Sequence, residues 1–220
     1  ARTTPSYNMA DRLDHKQGRP FPPPVQIFRP RSSDTGNAFL GHNGVRILHR
    51  KMVFPDNPQK LEKVVAEINS QDPDIVCVTG DMVTIGKEEA EPYKETLKGI
   101  RSRHGVLSVL GNHDFLIYGF PHGEKRENAL EDLVRFQTDS LGWTLLRNGN
   151  ITIEANDSSK ITFIDVDNTN CSSQGFTTIS KGDLRKAMEG TDGFRVLLSH
   201  DPSHWAGEVV PDTDIQLTLS

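Results

Sequence analysis

Cysteine is scarce in this chain. Cys77 and Cys171 are its only two, too few for the disulfide framework of a small secreted domain. Cys77 stands inside an apolar run, where a thiol behaves as a small reduced core group; a single bridge to Cys171 is left open. Long apolar runs are missing too. None reaches the roughly 18 residues of a membrane span, and no N-terminal stretch has the apolar segment of a signal peptide. Positive charge is not in excess. A formal charge of −5 argues against a general nucleic-acid binder, which carries a basic face. A phosphate-bearing substrate would then need local positive charge, and a metal ion can supply it.

At 220 residues and 24.5 kDa the chain is long enough for one sizeable core. Two regions differ in composition. Residues 1–45 hold Pro5, Pro20, Pro22, Pro23, Pro24 and Pro30, scattered Arg and Asp, and almost no periodicity. Pro20-Phe21-Pro22-Pro23-Pro24 favours polyproline II, and the stretch reads as a disordered or non-native leader. Residues 46–220 read as the folded domain.

Within it, Asn57-Pro58 is a helix start: a capping side chain, then a proline whose missing N–H costs nothing there. Leu61, Val64, Val65 and Ile68 follow on one helical face. Further helices are predicted over Glu88–Arg101, with Tyr93, Leu97 and Ile100 inward, and over Arg126–Leu141. Apolar runs predict strands at 74–79 and 105–110. Trp143–Arg147 and Ile151–Glu154 flank Asn148-Gly149 and read as a hairpin, since Asn-Gly supplies the positive φ values of a tight turn. Strands follow at Lys160–Val166, 194–199 and Ile215–Leu219, with a short helix at Gly182–Met188. Helices and strands alternate first and strands cluster later, which predicts an α/β (α+β) mixed sheet or two stacked sheets with helices outside.

Three of these strands end in residues able to hold a metal. The first ends in Thr79-Gly80-Asp81, the second in Leu110-Gly111-Asn112-His113-Asp114, the third in Ser199-His200-Asp201. Ligands of open α/β sheets bind at the carboxyl ends of strands. A Gly-Asp or a lone His after a strand is commonplace; Gly111-Asn112-His113-Asp114 is not. Asp81, Asn112 and His200 are the candidate metal ligands, and such a set accepts Mn, Fe and Zn alike. His204 and Trp205 lie close behind His200 and read as loop packing.

In this order the three motifs resemble the calcineurin-like metallophosphoesterases, over about residues 57–220, and most of all bacterial members whose catalytic domain follows membrane helices. The resemblance implies a four-layer αββα sandwich, incomplete at both ends, and hydrolysis of a phosphomonoester or phosphodiester substrate. It implies two divalent metals (Mn, Fe or Zn) in intact relatives and at most one here, with Asp81 as bridge and Asn112 and His200 on the second metal. His113, paired with Asp114, becomes the catalytic pair beside the scissile phosphate. Two blocks of the family pattern are missing. No Asp-x-His occurs before residue 60; Val45–Met52 stands in its place, with His49 the nearest substitute. The chain stops at Ser220 without a Gly-His-x-His. The resemblance therefore implies a fragment or altered form of a longer enzyme, with a non-catalytic binding module on the same fold as the alternative.

Overall fold

The computed structural model describes residues 24–30, 45–51, 58–154, 158–172 and 178–220. Two sheets organise them. The first has strands β1 (Pro24–Pro30), β2 (Val45–Lys51), β3 (Ile75–Val78), β4 (Val106–Ser108) and β5 (Thr144–Leu145), in the order β2-β1-β3-β4-β5. β1 runs antiparallel to β2 and β3, whereas β3, β4 and β5 are parallel. The second sheet orders β6 (Gly149–Glu154), β7 (Lys160–Val166), β8 (Phe194–Ser199) and β9 (Leu217–Leu219), antiparallel in its first pair and parallel thereafter.

Alternation along the strands builds the layers. Ile75 and Cys77 of β3 and Leu107 of β4 meet Ile161, Phe163, Val196, Leu198 and Leu219 of the second sheet. The opposite face of the first sheet, with Val76, Val78 and Val106, packs on α1 (Pro58–Ser70), α2 (Lys94–Lys98) and α3 (Glu124–Arg135) through Leu61, Val65, Ile68, Leu97 and Leu133. Ile164, Val166 and Leu197 turn outward from the second sheet onto α4 (Leu184–Ala187) and Val209. The result is the four-layer αββα sandwich. Strands covered on both faces read as continuous apolar runs, and each fully buried Leu, Ile or Val contributes about 1.5–3 kcal/mol. Among the described residues no helix is long and apolar enough to cross a membrane. Both cysteines are free thiols, Cys77 buried and Cys171 exposed.

The structure departs from the sequence pattern in several places. The helix expected over Glu88–Arg101 is broken into 3-10 turns at Lys87–Glu89 and Glu91–Tyr93, followed by α2; Pro92 offers no N–H to a continuous helix. α3 starts at Glu124, and the chain continues past Arg135 as a π-helical turn, Phe136–Ser140. The expected hairpin does not form. β5 pairs with β4 in one sheet, and β6 pairs with β7 in the other. The positive φ values fall on Arg147 (+51°) and Asn148 (+59°). Leu146 and Arg147 donate their N–H groups to the Asp165 carboxylate at 3.0 and 3.1 Å, so the turn is tied to β7 and carries the chain between the layers. β1 and the first residue of β2, Val45, fall inside the stretch whose composition suggests a leader; the rest of that stretch, like Asn57, lies outside the described residues.

Candidate active site

The carboxyl ends of β3, β4 and β8 meet where the two sheets face each other, and glycines make the approach close enough. A Cβ on Gly80 would lie 2.6 Å from the Gly111 nitrogen and 2.8 Å from Nδ1 of His200. A Cβ on Gly111 would lie 2.6 Å from the Asp81 nitrogen. Gly80 has φ +89° and Asp81 φ +56°. Asp is among the few side chains that tolerate the left-handed region, so the turn delivers its carboxylate without needing a third glycine.

Asp81 sits between two partners. Its Oδ1 accepts the backbone N–H of His113 at 3.0 Å, and its Oδ2 lies 3.1 Å from Nε2 of His200. Burial pushes the Asp81 carboxyl upward, but the hydrogen bond and charge of His200, with His113, outweigh it and hold the group below its ordinary value. His200 is driven the other way. Burial disfavours its charged form, yet the hydrogen bond and charge of Asp81 and the Thr79 carbonyl raise it to about 9. Nδ1 of His200 lies 2.8 Å from the Thr79 carbonyl oxygen. A carbonyl only accepts, so Nδ1 carries a proton and Nε2 is the nitrogen presented to Asp81.

Asn112 is held between Gly111 and His113, whose backbones both approach Asp81. Its amide nitrogen donates to the Tyr118 hydroxyl at 3.3 Å, which leaves Oδ1 as the atom a cation would meet. The His113 ring lies against the Tyr118 ring, centroids 4.5 Å apart and planes tilted by 36°; its buried Nδ1 has no hydrogen-bond partner. Asp114 behaves differently from the pairing expected with His113. Its Oδ1 accepts from the Val83 N–H at 3.1 Å and its Oδ2 from the Gly111 N–H at 2.9 Å. It clamps the loop after β4 to the loop after β3. Burial, then the charge of Asp81, raises this carboxyl to about 7, against the pull of the two N–H groups.

Two further arrangements border the site. Nε of Arg147 donates to both oxygens of Asp167 at 2.8 and 2.9 Å, and its guanidinium lies 5.7 Å from the centre of the Phe115 ring, next in sequence to Asp114. Ser199 Oγ, Nδ1 of His204 and, through Nε2, Glu208 form a line of 2.9 Å contacts. That line resembles a hydrolytic triad, but Ser199 and His204 are completely buried and no ester can reach the hydroxyl. It braces the turn Trp205–Val209, in keeping with packing rather than chemistry for His204. Tyr118 stands in no strand-end motif and carried no signal in the sequence; Asp167 closes the strand Lys160–Val166, a strand end that the sequence reading passed over.

The donor set suits a divalent cation. Two ligands bound to one ion at about 2.1 Å and at right angles stand about 3.0 Å apart, close to the Asp81–His200 separation of 3.1 Å. The Thr79 carbonyl orients the imidazole from behind, as outer partners of metal-bound histidines do. Among the described residues no group of three or more His, Cys, Asp or Glu side chains is placed to hold a metal. The set is thus two strong ligands and an amide.

A family model for calcineurin-like phosphoesterases matches residues 32–217. The chain belongs to that family. Its relatives include the uncharacterised metallophosphoesterase YkuE of Bacillus subtilis, 26% identical over 168 residues, covering 74% of this chain and 51% of YkuE. An uncharacterised metallophosphoesterase of Campylobacter jejuni is 28% identical over 106 residues, 48% of this chain and 23% of the relative. The UDP-2,3-diacylglucosamine pyrophosphatase LpxG of Chlamydia trachomatis is 37% identical over 86 residues, 36% of this chain and 26% of LpxG. This calcineurin-like phosphoesterase chain thus spans about half of YkuE and about a quarter of each of the other two relatives. Family members generally use divalent metals, in keeping with the donors at the strand ends. His49, the nearest stand-in for the first block of the family pattern, is on β2 opposite Gln26, which lies opposite Cys77 of β3. Two strand spacings, about 9.6 Å, therefore separate the backbone of His49 from β3.

Proposed function

We propose that this chain carries part of the catalytic centre of a metal-dependent phosphoesterase, acting on a phosphomonoester or phosphodiester. The observation that carries the proposal is the Asp81–His200 contact of 3.1 Å between two different sheets, with Asn112 fixed beside it. Asp81, His200 and the amide oxygen of Asn112 would hold one divalent cation. Bound there, a cation lowers the pKa of a coordinated water and neutralises phosphate oxygens.

The chain's own residues account for the rest. The Thr79 carbonyl fixes the His200 tautomer, so Nε2 points inward. Asp114 holds the Gly111 N–H, and with it the loop that presents Asn112 and His113. His113 would protonate the departing oxygen, a role worth about 10²–10⁴-fold in rate. Tyr118 packs against that ring, and Asp114 bonds to the backbone of Val83 and Gly111. LpxG, named for a pyrophosphatase activity, puts phosphoanhydrides beside phosphoesters as substrates to assay.

The test is hydrolysis of bis(p-nitrophenyl) phosphate and p-nitrophenyl phosphate by the protein at its native length, with Mn or Zn. Chelation abolishes turnover, and Asp81→Asn lowers it by at least about 100-fold, the upper range for losing even an outer partner of a metal. A full-length protein that hydrolyses neither ester with either metal overturns the enzyme reading. The second reading is a non-catalytic binding module on this fold; a full-length protein that folds cooperatively but neither binds Mn nor hydrolyses any phosphoester would support it.

A further inference from the structure

Tyr118 stands apart from every other residue at the strand ends. It touches both His113, through its ring at 4.5 Å, and Asn112, through its hydroxyl at 3.3 Å. Yet 53% of its surface is open. A half-exposed tyrosine with its polar tip already engaged presents an apolar face to whatever lies beyond His113. Its neighbour extends that face. Ile85, 56% exposed, packs against Gly119, where an added Cβ would sit only 2.5 Å from its backbone oxygen.

The rest of the molecule gives this pair its meaning. Scattered exposed apolar side chains need no explanation, but Ile85 reaches Gly119, the residue next to Tyr118. The large exposed apolar residues among those described are Ile85, Tyr118, Ile151, Trp205 and Val210. Ile85 follows β3, Tyr118 follows β4, and Trp205 and Val210 follow β8. Four of the five thus lie on the segments that leave the three strand ends bearing Asp81, Asn112 and His200. Only Ile151, on β6, does not.

We infer that Tyr118, with Ile85, is the specificity-determining platform for the leaving group, and that the substrate is an amphiphilic phosphoester whose apolar portion lies on that platform. This rests on the phosphoesterase reading above. The reasoning is positional. A phosphoryl group held by the donors at Asp81, Asn112 and His200, with His113 on its departing oxygen, must direct the group carried by that oxygen past the His113 ring. What stands against that ring is Tyr118. A small polar leaving group would gain little from an exposed isoleucine beside the aromatic face, whereas an aryl ring or alkyl chain would be dehydrated by both.

Binding of a homologous series of alkylphosphonates, from methyl to octyl, to the Mn-loaded full-length protein tests this without requiring turnover. The series holds the phosphonate constant and varies only the apolar length. A methylene buried on one side is expected to tighten the dissociation constant about twofold, half the effect of full burial. Tyr118→Ala should flatten the dependence on length and Tyr118→Phe, which keeps the ring, should preserve it. Ile85→Ser, an exposed change, should reduce the slope even if Tyr118→Ala does not fold. Tight methylphosphonate binding with no dependence on length overturns the platform and leaves the phosphoesterase reading standing. No binding of any member overturns both.

Discussion

Buried carboxylates set the character of individual residues here. Asp114 and Asp165 both lie wholly inside the protein and both accept two backbone N–H groups. Asp165 is the cleaner case, because it stands away from the candidate metal ligands. Burial and, after it, the charge of Asp167 raise its carboxyl to about 8, whereas the unfolded group titrates near about 3.9. Between those values the folded chain keeps a proton that the unfolded chain has released. Stability therefore falls as the pH rises from about 4 to about 8, by at most about 1.4 kcal/mol per pH unit from this group. Asp165→Asn keeps an oxygen for Leu146 and Arg147 and no longer titrates. Chemical denaturation of both proteins at about pH 5 and about pH 8 should show the wild type losing ground to the variant as pH rises; parallel behaviour would refute it.

Among the elements, the link between β5 and β6 determines how the sheets join. Asn148 adopts φ +59° there. Its Nδ2 donates to the Lys181 carbonyl at 3.0 Å, and its Oδ1 accepts from the N–H groups of Asp167 and Asp183 at 3.1 and 2.9 Å. One side chain thus pins the turn to the end of β7 and to the start of α4. Asn148→Ala loses these bonds and keeps the left-handed strain, so it is expected to cost about 2–4 kcal/mol. Asn148→Gly relieves the strain alone and recovers about 1 kcal/mol of that loss. Urea unfolding of the three proteins measures both differences, and a glycine variant no more stable than the alanine variant would show that strain plays no part. The same element explains why a hairpin is expected from the sequence. Asn148-Gly149 does mark a tight turn; what no local pattern reveals is that Asp165 captures the N–H groups before it.

For the whole molecule, the candidate site lies on the seam of the sandwich. Asp81 and Asn112 come from the first sheet and His200 from the second, so a cation bound by all three would cross-link the layers. A ligand that binds only the folded state stabilises it by about 2.7 kcal/mol at a hundredfold excess over its dissociation constant. Saturating Mn should raise the melting temperature accordingly. Asp81→Asn should abolish the shift, as should His200→Ala. A shift that survives both substitutions would place the metal elsewhere.

Much of this was legible in the chain itself. Apolar runs located β3, β4, β7 and β8 because strands buried on both faces cannot hide their composition, and the residues closing three of them named Asp81, Asn112, His113, Asp114 and His200. Periodicity found α1 for a similar reason: Leu61, Val65 and Ile68 must share a face. Partnership was not legible. That Asp114 clamps Gly111 and Val83 instead of orienting His113, that Tyr118 stands against His113, and that Trp143–Arg147 and Gly149–Glu154 belong to different sheets all depend on residues distant in order. Composition and local period determine which segments are buried and which residues end them, since those follow from each residue's own interaction with water and backbone. Only the packing of two sheets decides which carboxylate meets which N–H or imidazole, because that depends on where separate strands stop relative to one another.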